Sequence, residues 1–415
     1  MLLEFSCSNH KSIREKVLFS ALAGSDTQYV EKTKEFEGYN VLKSAVIYGA
    51  NGSGKSNFID AISFVKKLVI KSINYQPGQG IRQIPHKLDG YDTESVYRIQ
   101  FVTGDIRYLF GFSLKNMLIT EEYLYYFPNG RQVKIYEREQ EDFQTGNRFK
   151  GKLSTCKDVL KPNRLLLSCA ANFSSVKEIE QAYRFFNDEL VIYGSENQEN
   201  WLQYSLYQMN TNEKLKETVV LFMQSLGTDI KGLDVTIKQK KVEDVELPDF
   251  LSDEFKKKIL QGSIESINAK VIYETFETDL LQEESTGIKK LFGLLCPLLD
   301  IIINGKVLIC DELEAGLHES LVFGLVKLFV EMETQKFPQI FFTTHETGLL
   351  NLDLFRRDQI WFTEMKGMER STDLYSLAEI KNVRKDDNFG KGYISGKYGA
   401  IPMLNIDFAN IVSRM

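Results

Sequence analysis

The sequence predicts an α/β protein with a mostly parallel core sheet, an antiparallel β lobe and a largely helical insertion. Three observations predict it. The stretch "SAVIYGANGSGKSNFIDAI" (residues 44–62) runs from an apolar strand through a glycine-rich turn into a helix-like pattern. Residues 96–138 break into short alternating runs, the mark of antiparallel strands. The last third alternates helices with short buried strands, which suits a mostly parallel sheet with helices on both faces.

Taken in chain order, "LLEFSC" alternates as an edge strand and "KVLFSALA" is its candidate partner. Residues 41–48 read as one buried strand. Residues 57–71 read as a helix, because Phe58, Ile59, Ile62, Val65, Leu68 and Val69 recur at helical spacing. The lobe follows as "VYRIQFV", "IRYLFGFSL", "LITEEYLYYF" and "QVKIYER", with "TGD" and "PNG" as hairpin turns at two of the joins. Residues 177–186 and 201–226 read as helices in a polar middle region, 234–260 is charged and less periodic, and 269–276 is a strand. Then come a buried helix over 291–303, a buried strand over 306–310, a helix over 317–333, and strands over 339–344 and 359–362. No internal repeat or low-complexity tract interrupts this order. The expected organisation is residues 1–142 as the first half of a nucleotide-binding head, 143–268 as a mainly helical insertion, and 269–415 as the second half.

Composition narrows the function classes. The 415 residues are 43% hydrophobic and 26% charged, enough apolar matter for a core of normal size without disulfide staples. A net charge of −6 argues against a dedicated nucleic-acid-coating protein, which is usually basic. Local patches remain at "KQKK" (238–241) and "KKK" (256–258). Their ordinary reading is solvated charge, and nucleic-acid contact stays open. The five cysteines are scattered without CxxC spacing, which argues against zinc or a disulfide framework. The N-terminal stretch lacks an apolar signal core, and "LFGLLCPLLDIII" (291–303) is too short to span a bilayer and holds Pro297 and Asp300. The expectation is a cytoplasmic protein without a membrane partner.

"GANGSGKS" (residues 49–56) fits GxxxxGK[ST] at each specified position. In such a loop the backbone of Gly49, Ala50, Asn51, Gly52, Ser53 and Gly54 lies against phosphate oxygens, and the following helix points its positive end at them. Lys55 reaches the β- and γ-phosphates, Ser56 ligates Mg²⁺, and Asn57 continues the motif into the helix. The strand before and the amphipathic helix after separate this from a chance glycine turn. A second element, "KVLICDELEAGLHESL", ends a hydrophobic strand at Asp311–Glu312. Asp311 is the candidate Mg²⁺ ligand and Glu312 the candidate general base. The bland alternative is an acidic cluster at a helix start. In the third, "QIFFTTHETGLL", His345 ends another buried strand, placed to contact a γ-phosphate or position water. The expected cofactors are therefore ATP and Mg²⁺.

A fourth element, "QEESTGIKKLFGLL", sets Ser285, Thr286 and Gly287 before a long apolar helix. A small-residue turn at a helix start is a second anion site. One P-loop does not need two, so Ser285 and Gly287 make sense for a nucleotide held by another copy. The alternative is an N-cap by Ser285 or Thr286.

This order of motifs resembles ABC-type ATPase heads of the SMC and RecF kind. "GANGSGKSNFIDAI" is similar to their Walker A segment, and "LEFSCSNHKSI" resembles their opening strand and turn, with His10 in place of the usual aromatic. The resemblance implies that Lys11 approaches the nucleotide phosphates. Of the family's Leu-Ser-Gly-Gly-Gln/Glu signature this chain keeps Ser285 and Gly287, while Ile288 replaces the last polar residue. Gln100 is a candidate Q-loop glutamine. Across nearly the whole chain, "PHKLD", "YRIQF", "YLFGFSL", "ESTGIKKLFGLL", "ICDELEAGLHESL", "RRDQIWFTE" and "YISGKYGAIPML" resemble the bacterial ATP/GTP-phosphatase family of AAA type that includes RloA- and AbiL-like anti-phage ATPases.

That resemblance implies an ATP-binding and hydrolysing switch of an abortive-infection-like defence system. It implies a homodimer or higher homo-oligomer with ATP between heads, and a separately encoded effector such as a Toprim- or RloB-like nuclease or a toxin. The alternative is a RecF- or SMC-like DNA-repair ATPase. No sustained heptads or CxxC hook support long SMC arms. The large insertion between Ser56 and Ser285 disfavours a transporter subunit, and residues 346–415 are too few for an added nuclease domain. Residues 143–268 and the glycine-rich tail 390–404 are left over by nucleotide chemistry. The middle region is expected to carry most of the partner-docking surface.

Overall fold

The structure, a computed structural model, describes residues 1–24, 32–194, 198–241, 263–331, 336–350, 354–384 and 387–402. The chain forms two compact units: Met1–Tyr193, Ile301–Glu314 and Leu325–Met415 in the first, Gly194–Asp300 and Ala315–Gly324 in the second. The boundaries differ from those expected at 142/143 and 268/269. Residues 143–193 join the first unit, and residues 269–300 the second.

The first unit starts with β1 (Leu2–Ser8), paired antiparallel with β2 (Val17–Ser20) on one side and β6 (Ser95–Thr103) on the other. It is an interior strand, not the edge that its alternation suggested. Residues 41–48 are two strands rather than one. β4 (Tyr39–Leu42) closes a hairpin with β3 (Thr33–Phe36), and β5 (Ser44–Tyr48) enters a different sheet. α1 (Lys55–Lys71) follows, burying Phe58, Ile59, Ile62, Val65, Leu68 and Val69 on one face as their spacing predicts.

The antiparallel lobe adds β7 (Ile106–Lys115), β8 (Leu118–Phe127), β9 (Val133–Glu139) and β10 (Asp142–Thr145) in the order β10-β9-β8-β7-β6-β1-β2. Gly104 and Asp105 at the first join have φ of 55° and 58°, and Asn116 and Met117 at the second 52° and 63°. These paired left-handed residues turn the chain with the twist that adjacent antiparallel strands need. Beyond the lobe, α2 (Leu166–Phe173) and α3 (Lys177–Arg184) lead to β11 (Leu190–Tyr193).

β11 opens the core sheet, which continues with β15 (Val307–Cys310), β16 (Gln339–Thr343), β5, β17 (Ile360–Lys366) and β18 (Ser371–Ser376). All neighbours run parallel except β18, which is antiparallel to β17. β5, β15 and β16 are buried at every residue, the pattern of strands covered on both faces. Phe19 of β2 lies 6.0 Å from Phe58 of α1, 5.1 Å from Phe341 of β16 and 5.0 Å from Trp361 of β17. This cluster fastens the lobe, the helix and the core sheet together behind the glycine-rich loop. The tail packs here too, with Tyr393 5.6 Å from Tyr48 and 5.4 Å from Phe362.

The second unit contains the antiparallel sheet β12 (Gly232–Lys241), β13 (Ser263–Ile272) and β14 (Glu277–Asp279), in that order; β13 overlaps the strand expected over 269–276, and β12 falls where a mainly helical insertion was expected. The patch at 256–258 lies outside the described residues. The helix expected over 201–226 is two, α4 (Gln198–Thr211) and α5 (Glu213–Ser225). Asn212 divides them, its side chain accepting from the Leu215 N–H at 3.1 Å as an N-cap. The helix Thr286–Asn304 begins in this unit and contains Pro297. Ser205 Oγ donates to the Gly293 carbonyl at 2.9 Å, and a Cβ at Gly293 would lie 3.2 Å from the Leu202 nitrogen.

Candidate nucleotide-binding site

Residues 49–54 link β5 to α1 in a tight loop. Gly52 and Gly54 have φ of 76° and 106°, which disfavours a side chain at either position. A Cβ at Gly49 would lie 2.4 Å from Thr363 Oγ1, and one at Gly54 2.1 Å from Thr372 Oγ1. The loop is thus pressed onto β17 and β18. Ser53 belongs to that scaffold by its side chain, with Oγ 2.6 Å from Thr363 Oγ1, while its carbonyl accepts from Thr372 Oγ1 at 2.9 Å. Asn51 and Gly52 are exposed at the crest, beside half-buried Ala50.

The Lys55 ammonium sits inside the loop, donating to the Gly49 carbonyl at 2.7 Å and the Ala50 carbonyl at 3.3 Å. It is only 6% exposed. Burial lowers its pKa, against the opposing pull of the Asp311, Glu312 and Glu314 carboxylates. Ser56, the next residue, is exposed on the first turn of α1.

The opening turn docks on α1. Asn57 Nδ2 donates to Ser12 Oγ at 2.6 Å, and Lys11 Nζ lies 2.7 Å from the Asp60 carboxylate, which also meets His10 Nε2 at 3.0 Å. The Lys11 ammonium therefore rests on Asp60 rather than on the glycine loop, and Asn57 serves the same junction. Burial would raise the Asp60 pKa, but hydrogen bonds from His10 and Lys11 outweigh it and hold the carboxyl at about 2. Gln100 is buried in β6 opposite Glu4 and Leu109, in the antiparallel lobe.

Asp311 and Glu312 follow β15 directly, and β16 clamps them. Thr343 Oγ1 donates to Asp311 Oδ1 at 2.6 Å and accepts from the Glu312 N–H at 2.8 Å. Glu312 has φ of 51°, a left-handed conformation uncommon for a non-glycine residue, and its side chain is exposed. The Leu313 N–H then donates to the Thr343 carbonyl at 3.2 Å. His345 is exposed just past β16, and its backbone N–H donates to Glu314 Oε1 at 2.7 Å. The first unit thus gathers the loop, Asp311, Glu312 and His345 at the C-terminal ends of adjacent parallel strands, where ligands bind in open α/β sheets.

Ser285 and Gly287 belong to the second unit. Ser285 Oγ accepts from the Ile288 N–H at 3.3 Å, so it caps the helix that starts at Thr286. Gly287 allows a close approach, since a Cβ there would lie 2.8 Å from the Gly316 carbonyl. Lys290 Nζ fastens the same segment by donating to the Ala315 carbonyl at 2.8 Å.

Sequence reasoning did not identify Thr343, Glu314, Thr363 or Thr372. Thr343 reads as an ordinary strand residue, Thr363 and Thr372 lie beyond the strand expected over 359–362, and only the pairing of distant strands brings them to their partners. The glycine loop, the enclosed ammonium of Lys55 and the hard oxygen donors of Ser56 and Asp311 fit a nucleoside triphosphate with Mg²⁺. Ser56 and Asp311 are the residues that would hold the metal, which when bound neutralises developing phosphate charge.

The sequence model of a family described as "AAA domain, putative AbiEii toxin, Type IV TA system" matches residues 44–150 and 229–351. Similar solved structures include an SMC head bound to the C-winged helix domain of ScpA (14% identity, 90% of this chain and 97% of that one, TM-score 0.46). Others are the SMC head domain from Thermotoga maritima (14%, 90% and 98%, TM-score 0.42) and the recombination mediator protein RecF with ATP (16%, 90% and 97%, TM-score 0.39). No curated protein matches the chain.

Proposed function

The chain belongs to this AAA-domain family, and from that premise we propose that it is an ATP-hydrolysing switch of a bacterial anti-phage module, acting through a separately encoded effector. The observation that carries the hydrolytic part is the Thr343 clamp. One hydroxyl fixes Asp311 and the Glu312 backbone together, and both carboxylates lie within electrostatic reach of Lys55. In this reading Lys55 binds the phosphates, Ser56 and Asp311 hold the metal, Glu312 takes the proton of the attacking water, and His345 contacts the γ-phosphate. A base placed at the strand end beside a phosphate loop is what triphosphate hydrolysis needs.

The effector part rests on the family's toxin–antitoxin description and on the site's chemistry. Hydrolysis of ATP alone damages nothing, so the output has to come through contact with another molecule. The test is co-purification with the product of the neighbouring gene, with and without ATP, beside phage-plating assays. ATP-dependent association and protection only when both genes are present support the reading. Protection by this chain alone rejects the two-component arrangement. Turnover that depends on DNA, with no protection, supports a repair ATPase instead.

A further inference from the structure

Glu314 lies two residues past the expected general base and has no place in the mechanism above. Its carboxylate is divided. Oε1 accepts the His345 backbone N–H at 2.7 Å. Oε2 is shielded from solvent and has no hydrogen-bond partner among the described residues. Buried polar atoms are nearly always paired, so an orphaned carboxylate oxygen calls for an explanation.

The surrounding contacts indicate what the side chain serves. Thr343 Oγ1 joins Asp311 and Glu312, the Thr343 carbonyl accepts from Leu313, and Glu314 accepts from His345. The loop after β15 is therefore laced residue by residue to the end of β16. Glu314 is the last tie, and it holds the backbone of the histidine expected to face the γ-phosphate. Its charge is also one of the three carboxylate charges that act on Lys55.

We propose that Glu314 is a positioning residue for triphosphate hydrolysis, setting His345 against the Asp311–Glu312 loop through its backbone N–H. The inference rests on the hydrolytic reading given above. Misplacing a catalytic group by a fraction of an ångström costs rate without costing affinity. Removal of Glu314 should therefore lower kcat and leave KM nearly unchanged.

The experiment compares the full chain with Glu314→Ala, Glu314→Gln, His345→Ala and the Glu314→Ala/His345→Ala double variant. Each is assayed for MgATP turnover, nucleotide affinity and melting temperature. Glu314→Ala should lose on the order of 10- to 100-fold in kcat, with nucleotide Kd and KM within about twofold of wild type. Glu314→Gln keeps an acceptor for the His345 N–H and should recover most of that loss. The double variant should be no slower than His345→Ala, because both changes break one arrangement. Wild-type kcat in Glu314→Ala overturns the proposal, as do multiplicative losses in the double variant. A raised KM with a lowered melting temperature also overturns it, since that marks a loop that has come apart. Wild-type protein that binds no ATP, or binds it without turnover, fails the hydrolytic reading itself and takes the proposal with it. Normal wild-type turnover with a silent Glu314→Ala removes the proposal alone.

Discussion

At Lys55 two effects oppose each other. Burial lowers the pKa of its ammonium, while three carboxylates oppose that shift and two loop carbonyls accept its hydrogen bonds. Lys55→Ala should abolish tight nucleotide binding in a fluorescence titration of folded protein; unchanged affinity would refute the loop's role. Glu312→Gln keeps the Thr343 clamp, which uses the backbone N–H, and should retain ATP binding. Its turnover should fall on the order of 10²- to 10⁴-fold, as for loss of a general base. Asp311→Asn should act differently, raising the Mg²⁺ concentration needed for half-maximal turnover. Asp60 gives a prediction in pH. Its carboxyl is held at about 2 against an ordinary 3.8, so its stabilising contribution is complete above about 4 and disappears as the pH falls through 2. Asp60→Asn should thus lower the melting temperature at neutral pH and match wild type near pH 2.

Among the elements, the glycine loop was the most legible, because its ligand dictates consecutive residues. What braces the loop was not. Thr363 and Thr372 touch Ser53 across more than three hundred residues of chain, and Thr343 reaches Asp311 only because β15 and β16 pair in parallel with Cys310 opposite Phe342. No local pattern encodes such pairings. The same holds for Glu122, a residue type that is almost never fully buried unless paired. It is 1% exposed. Its carboxylate accepts from Tyr136 at 2.7 Å, Arg138 at 3.2 Å, and the Leu166 and Leu167 N–H groups at 2.6 and 2.8 Å. It therefore caps α2 and ties it to the lobe, which explains why residues past 142 belong to the first unit. Glu122→Ala removes the carboxylate paired with the fully buried Arg138 guanidinium and leaves it the Gln140, Lys161 and Arg164 carbonyls. The expected loss is about 3–5 kcal/mol of stability by denaturant unfolding. A loss below about 1 kcal/mol would mean that these carbonyls satisfy the buried charge without the carboxylate.

At the scale of the whole molecule, the first unit carries the loop, the acidic pair and the histidine, and the second carries Ser285 and Gly287. The alternation of strands and helices made the core sheet readable, but the boundary between units depends on packing that one segment's sequence does not show. Ser285 is the position where two readings of the molecule diverge. Its hydroxyl caps the helix Thr286–Asn304, and the bare Gly287 is accounted for by the Gly316 carbonyl. Both observations are complete within one chain, yet Ser285 remains exposed at the start of a long helix, where an anion is favoured. Two substitutions separate the readings. Ser285→Ala removes the cap alone and should cost about 0.5–2 kcal/mol of stability. Ser285→Arg adds bulk at the helix start, and if a second copy's nucleotide is read there, ATP-driven association is blocked. The measurement is sedimentation velocity in the hydrolysis-impaired Glu312→Gln background, with and without MgATP. The expected result is a nucleotide-dependent dimer or larger species for Glu312→Gln and for its Ser285→Ala form. The Ser285→Arg form should stay monomeric while binding ATP with unchanged affinity. Association that persists in Ser285→Arg would leave Ser285 as a helix cap and remove the trans contact from the function of this chain.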